Sequence, residues 1–154
     1  MADNTPASYQ DLGYDRIFVS LDRSEEQAKV LDRAITIAAC DNAELYVGHV
    51  IDSTALEAAG TYPVDLIPAL EKEFRDSIAE QVAKAEAEPQ IKKVEVVVRA
   101  GRIRETLKEE MIDQVKPDVI VCGARGLSPI KYALLGSIST FLLRSAPCDI
   151  LVVK

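Results

Sequence analysis

The residues best suited to chemistry in this sequence fall in one C-terminal stretch. An apolar run over 119–122 ends at Gly123, Gly126 follows three positions later, and Gly136 leads directly into Ser137 and Ser139. Strand, glycine-bounded loop, helix start is the order of a phosphate-binding turn. A glycine has no Cβ, so Gly123 and Gly126 can take positive φ and let a ligand approach the backbone. The first N–H groups of a helix lack intrahelical acceptors, and the helix dipole there favours an anion. A hydroxyl such as that of Ser137 can donate to a phosphate oxygen. Arg125 and Lys131 lie between the glycines and could add positive charge. Glycines at such positions also serve as plain turn residues in α/β domains that bind nothing, so the spacing alone leaves both readings open.

The elements that must position this stretch read as strands alternating with helices. Apolar runs predict strands over 16–21, 44–50, 93–98, 119–122 and 150–153. Their near-continuous apolar character implies burial on both faces. Ser24 with Gln27 three residues later resembles a capping box, and Leu31, Ala34, Ile35 and Ala38 then form one helical stripe. The segment 53–63, with Gly60 and Pro63, reads as a loop. Leu66, Leu70, Phe74, Ile78 and Val82 predict a long amphipathic helix that stops before Pro89. Gly101 marks a turn, Ile103, Leu107, Met111 and Val115 make a further stripe closed by Pro117, and Ile138, Phe141 and Leu142 share one face of a short helix. The expected fold is a single α/β domain over 14–154, after a loose lead-in over 1–13. Its architecture is an open, doubly wound, five-stranded parallel sheet with helices on both faces. Ligands of such sheets bind beyond the carboxyl ends of the strands, where strand order reverses. Here those ends carry Asp22, Val50 and Gly123.

Bulk properties narrow the partners. A chain of 154 residues can bury one full core. Its net charge of -7 argues against nucleic acid and anionic membrane as partners. No apolar run is long enough to span a bilayer, and residues 1–10 lack the basic and apolar regions of an export signal. The three cysteines, Cys40, Cys122 and Cys148, have no metal-binding spacing and fit a reducing cytoplasm.

Other conspicuous residues have plain structural readings. His49, near the end of a buried strand, is expected to be hydrogen-bonded and structural. Asp22 is either a ligand contact or the turn residue before Ser24. Arg102 and Arg104 fit a solvated helix start that could reach a phosphate, and the charges over 71–88 fit the wet face of a helix. Neither GxxxxGK[ST] nor a GxGxxG after the first strand is present, which argues against a P-loop NTPase and a dinucleotide-binding domain.

The pattern Gly123-x2-Gly126-x9-Gly136-Ser137 resembles the ATP-binding motif of the universal stress protein family, and the resemblance extends over about 14–154. It includes Asp22-Arg-Ser24 after the first strand, His49-Val50-Ile51-Asp52 in the second, Pro117-Asp118 before the loop and the terminal Ile150-Leu-Val-Val. The resemblance implies a Rossmann-like fold of the adenine nucleotide alpha hydrolase type and the ATP-binding branch of the family. Asp22 would then contact the nucleoside, and Val50 would meet adenine through its backbone. Gly123, Arg125 and Gly126 would surround ribose and phosphates, and Gly136, Ser137 and Ser139 would hold phosphates at the helix start. Mg²⁺ would bridge the phosphate oxygens. It further implies a small regulatory protein of the stress response that dimerises through strand 150–153. Ala146-Pro-Cys-Asp149 departs from the family's more usual Cys-Pro-Val. Two alternatives stand beside this reading: a slow ATPase or phosphotransfer enzyme, and a ligand-free dimeric interaction module whose apolar last strand is a sheet edge.

Overall fold

In a computed structural model, residues 8–125 and 135–154 are described. Five parallel strands, β1 (Arg16–Ser20), β2 (Glu44–Asp52), β3 (Lys93–Gly101), β4 (Val119–Gly123) and β5 (Asp149–Val153), form one sheet in the order β3-β2-β1-β4-β5. The helices are α1 (Gln27–Asp41), α2 (Ser53–Ala58), α3 (Leu66–Ala87), α4 (103–115) and α5 (Ser137–Ser145). Within α4, Thr106–Ile112 is wound as a π-helix. A short 3₁₀ turn, Tyr9–Leu12, precedes the sheet within the stretch expected to be loose.

Burial follows from strand alternation. In β1, Ile17 and Val19 enter the core on the face that packs α1 and α3, together with Val30, Leu31, Phe74 and Ile78. Phe18 points the other way, into a second core with Leu107, Met111, Ile120 and Leu142 from the α4 and α5 side. Each of the three β1 side chains is fully buried, which is why the strand reads as a continuous apolar run. Gly48 of β2 makes room for this second core: a Cβ there would lie 2.7 Å from Phe18 Cε2 and 3.2 Å from Met111 Sδ.

The structure revises several local expectations. The segment 53–63 is not a loop throughout. Asp52 accepts hydrogen bonds from the N–H groups of Thr54 (3.1 Å) and Ala55 (3.4 Å) and caps the six-residue helix α2. The Ser24 capping box does not form. Gln27 Oε1 instead accepts from the Arg23 N–H at 3.0 Å, and the N-cap of α1 is Glu26, with no side-chain cap. Strand β3 runs through Gly101, where a turn was expected; a Cβ at Gly101 would overlap the Thr106 hydroxyl at the start of the π-helical segment.

Candidate functional site

The sheet order makes β1 and β4 neighbours. The chain leaves β1 for α1 on one face and reaches α5 from β4 on the other, so the strand order reverses between them. At their carboxyl ends lies a cavity of about 480 Å³, within the range of roughly 300–1,000 Å³ common to small-molecule sites. Six of the sequence-derived candidates, Asp22, Val50, Gly123, Gly136, Ser137 and Ser139, line it. Arg125 is exposed and is not among the described lining residues. Gly126 and Lys131 lie outside the described residues.

Each wall offers a different chemistry. Pairing between β1 and β2 ends at Ser20 and Gly48, and the last bond across is from the Leu21 N–H to the Gly48 carbonyl at 2.9 Å. Backbone groups alternate sides along a strand, so those of Val50 point the same way as those of Gly48. No β1 residue pairs with Val50. Its N–H and C=O therefore present a donor and an acceptor side by side at the cavity. Around this edge the lining is apolar, with Leu56 from α2, Leu70 from α3, and Ile103 and Leu107 from α4. Asp22 lines the cavity and accepts from the Ser24 N–H with Oδ1 at 3.0 Å, so it makes the turn expected of it with one carboxylate oxygen.

The opposite wall is the start of α5. Gly136 is its N-cap, with φ -68°, ψ 167° and no side-chain cap. The N–H groups of Ser137, Ile138 and Ser139 precede the first intrahelical bond, from Thr140 to the Gly136 carbonyl at 3.1 Å. Ser139 is buried, and its hydroxyl donates to that same carbonyl at 3.0 Å. Its hydroxyl proton is thus committed within the helix, and its backbone N–H is the donor available to an anion. Ser137 is exposed at the first helical position. Both ends of the glycine loop are tied down: the Ala124 N–H donates to the Val153 carbonyl (2.8 Å), and the Gly136 N–H to the Ala124 carbonyl (2.7 Å). Neither Gly123 nor Gly136 has a positive φ. A Cβ at Gly123 would meet Val30 Cγ2 at 3.4 Å and the Arg125 carbonyl at 3.5 Å, both ordinary contacts.

Two groups that could have been catalysts are arranged otherwise. His49 stacks on Phe74 with ring centroids 4.3 Å apart, and its Nδ1 lies 2.8 Å from the Leu21 carbonyl. That bond requires the proton on Nδ1, and burial pushes the pKa of the imidazole down. Burial, aided by the Asp22 carboxylate, pushes the Cys122 thiol up to about 11, so it is no thiolate at neutral pH. Among the described residues no group of three or more His, Cys, Asp or Glu side chains could hold a metal ion. Arg102 and Arg104 stay outside the cavity; Arg104 lies over the Phe141 ring, 5.7 Å from its centroid. Lining residues that sequence reasoning did not place in the site include Arg23, Asp52, Leu56, Leu70, Ile103 and Leu107. A signal for one was present: Asp before Ser-Thr at 52–54 is a helix N-cap pattern.

The comparisons agree with this architecture. The sequence model of the Universal stress protein family matches residues 13–154. A relative from Staphylococcus saprophyticus, assigned to the universal stress proteins, is 28% identical over 143 residues, covering 93% of this chain and 85% of the relative. The universal stress protein UspA from Lactobacillus plantarum superposes with a TM-score of 0.73 at 20% identity, over 92% of this chain and 99% of its own. A universal stress protein crystallised in complex with cAMP superposes with a TM-score of 0.63 at 28% identity, over 92% and 98%.

Proposed function

The chain belongs to the universal stress protein family, and on that premise we propose that it binds ATP, with Mg²⁺, as a small regulatory protein of the cytoplasmic stress response. The observation that carries this reading is one cavity with two unlike ends. The open backbone edge of Val50, flanked by Leu56, Ile103 and Leu107, suits the edge and faces of a purine. The three leading N–H groups of α5 suit phosphate oxygens. Asp22 stands between them, with a carboxylate oxygen that can accept from a ribose hydroxyl. Mg²⁺ would come with the nucleotide and would neutralise phosphate charge there; among the described residues no cluster of three or more His, Cys, Asp or Glu side chains would hold it without the nucleotide.

Among the described lining residues the histidine is engaged with a carbonyl and the thiol is protonated. We favour a sensing role, with slow ATP hydrolysis as the alternative, and read the protein as a homodimer through β5. The test is calorimetric titration of the protein with ATP and Mg²⁺. Saturable binding is expected, weakened at least about tenfold by Gly123→Val or Gly136→Val, which add bulk at two residues of the cavity lining. No binding, with no effect of either substitution, would sink the proposal. Steady phosphate release abolished by Ser137→Ala would assign an enzyme instead. A second reading, cyclic AMP as the ligand, is favoured by the 28% identical relative crystallised with cAMP. It would replace the first if cyclic AMP bound more tightly than ATP under the same conditions.

A further inference from the structure

The described lining of the cavity carries two carboxylates, Asp22 and Asp52, and one cation, Arg23. A phosphorylated ligand entering it meets that cation in an unusual setting. Arg23 follows Asp22 directly and has a left-handed backbone, φ 63°, a conformation uncommon outside glycine. The turn is held without help from the arginine side chain. The Arg23 N–H donates to Gln27 Oε1 at 3.0 Å, and the Ser24 N–H donates to Asp22 Oδ1 at 3.0 Å. The direction of the side chain is thus set by the backbone, while its guanidinium has one partner, Glu73 of α3, at 2.8 Å. The two side chains are 35% and 60% exposed. An ion pair this open to water contributes little, so exchanging one partner for another is not strongly opposed. A phosphate offers the guanidinium fork two acceptor oxygens and a higher charge than a carboxylate.

We propose that Arg23 is a phosphate-contacting residue gated by Glu73. In the ligand-free chain the guanidinium rests on Glu73, and a phosphorylated ligand draws it away, releasing the carboxylate. The pair then discriminates nucleotides from nucleosides, because only a phosphate can displace Glu73. This rests on the nucleotide-binding reading of the cavity.

The experiment is calorimetric titration of ATP and of adenosine into the wild-type chain, Arg23→Gln, Glu73→Gln and the double variant. Arg23→Gln should weaken ATP by about tenfold, as expected for loss of a charge-assisted contact, and leave adenosine within about twofold. Glu73→Gln should tighten ATP by about two- to fivefold, the scale of an exposed ion pair, without changing adenosine. In the Arg23→Gln background the gain from Glu73→Gln should vanish. Equal weakening of both ligands by Arg23→Gln would mean that the residue only shapes the turn. A Glu73→Gln gain that persists without Arg23 would mean general relief of negative charge, and no gain at all would remove the gate; each outcome overturns the proposal. If the wild-type chain bound neither ligand, the cavity reading itself would fall, and this inference with it.

Discussion

His49 is the one histidine of the chain, which makes its proton an isolated probe of the site. Burial lowers its pKa in the folded state, whereas in the unfolded chain it titrates near its ordinary value of about 6.5. Between those two values the unfolded state binds the extra proton, so stability rises with pH across that window and is lost as pH falls through it. Denaturant midpoints measured from pH 7.5 down to 5.5 should decline, and His49→Gln should flatten the part of the decline that begins near the unfolded value; an unchanged slope would refute the assignment. Gly48 tests packing at the same scale. A methyl group there meets the Phe18 ring and Met111 Sδ, both buried, so Gly48→Ala should destabilise by about 1–3 kcal/mol in equilibrium unfolding. That glycine carries no signature in the sequence, because its neighbour across the sheet is set by strand register.

At the scale of elements, α2 is the piece that periodicity could not reveal. Six residues make fewer than two helical turns, too few for a stripe to repeat, and Gly60 and Pro63 nearby carry the stronger, loop-like signal. Its formation depends on the Asp52 carboxylate, which also accepts from the Thr54 hydroxyl. Asp52→Ala should cost about 1 kcal/mol and Asp52→Asn much less, with the difference seen as faster amide exchange over 53–58. The Ser24 capping box fails for a related reason. A capping pattern reads residue types at fixed offsets, but the left-handed turn at Arg23 redirects the Gln27 side chain one residue back. By contrast the long helix α3 was legible to within a residue or two, since its stripe repeats over 22 residues and its outer face is laced by Lys72–Asp76, Arg75–Glu71 and Lys84–Glu80 pairs.

For the whole molecule the consequential feature is the edge at β5. The Val153 carbonyl faces β4 side of the strand, where it accepts from the Ala124 N–H; by alternation the backbone groups of Ile150 and Val152 face outward. Leu151 is 36% exposed and Leu143 of α5 49%, so apolar surface adjoins unpaired donors and acceptors. A second copy pairing antiparallel about a two-fold axis would satisfy both. Val152→Pro removes an outward N–H while sparing the bonds to β4. It should convert the proposed dimer to a folded monomer in sedimentation velocity, and a variant that stayed dimeric would place the interface elsewhere. No described helix is long and apolar enough to cross a membrane.

Local pattern in the chain was enough to specify the alternation of strands and helices, the burial of β1 on both faces, and the stretches that end at Asp22, Val50 and Gly123. These are properties of side-chain type at periods of two and 3.6 residues, and they survive without knowledge of neighbours. Periodicity does not say which strand lies beside which. The order β3-β2-β1-β4-β5 sets β1 against β4 and so brings Asp22 and Arg23 into one cavity with Gly136 and Ser137, residues far apart along the chain. That order is selected by complementary packing between elements, as where Gly48 admits Phe18 and Met111. The glycine loop was visible as a place where a ligand could approach. The pairing of the start of α5 with the open edge of Val50, and with a cation resting on Glu73, belongs to the folded sheet alone.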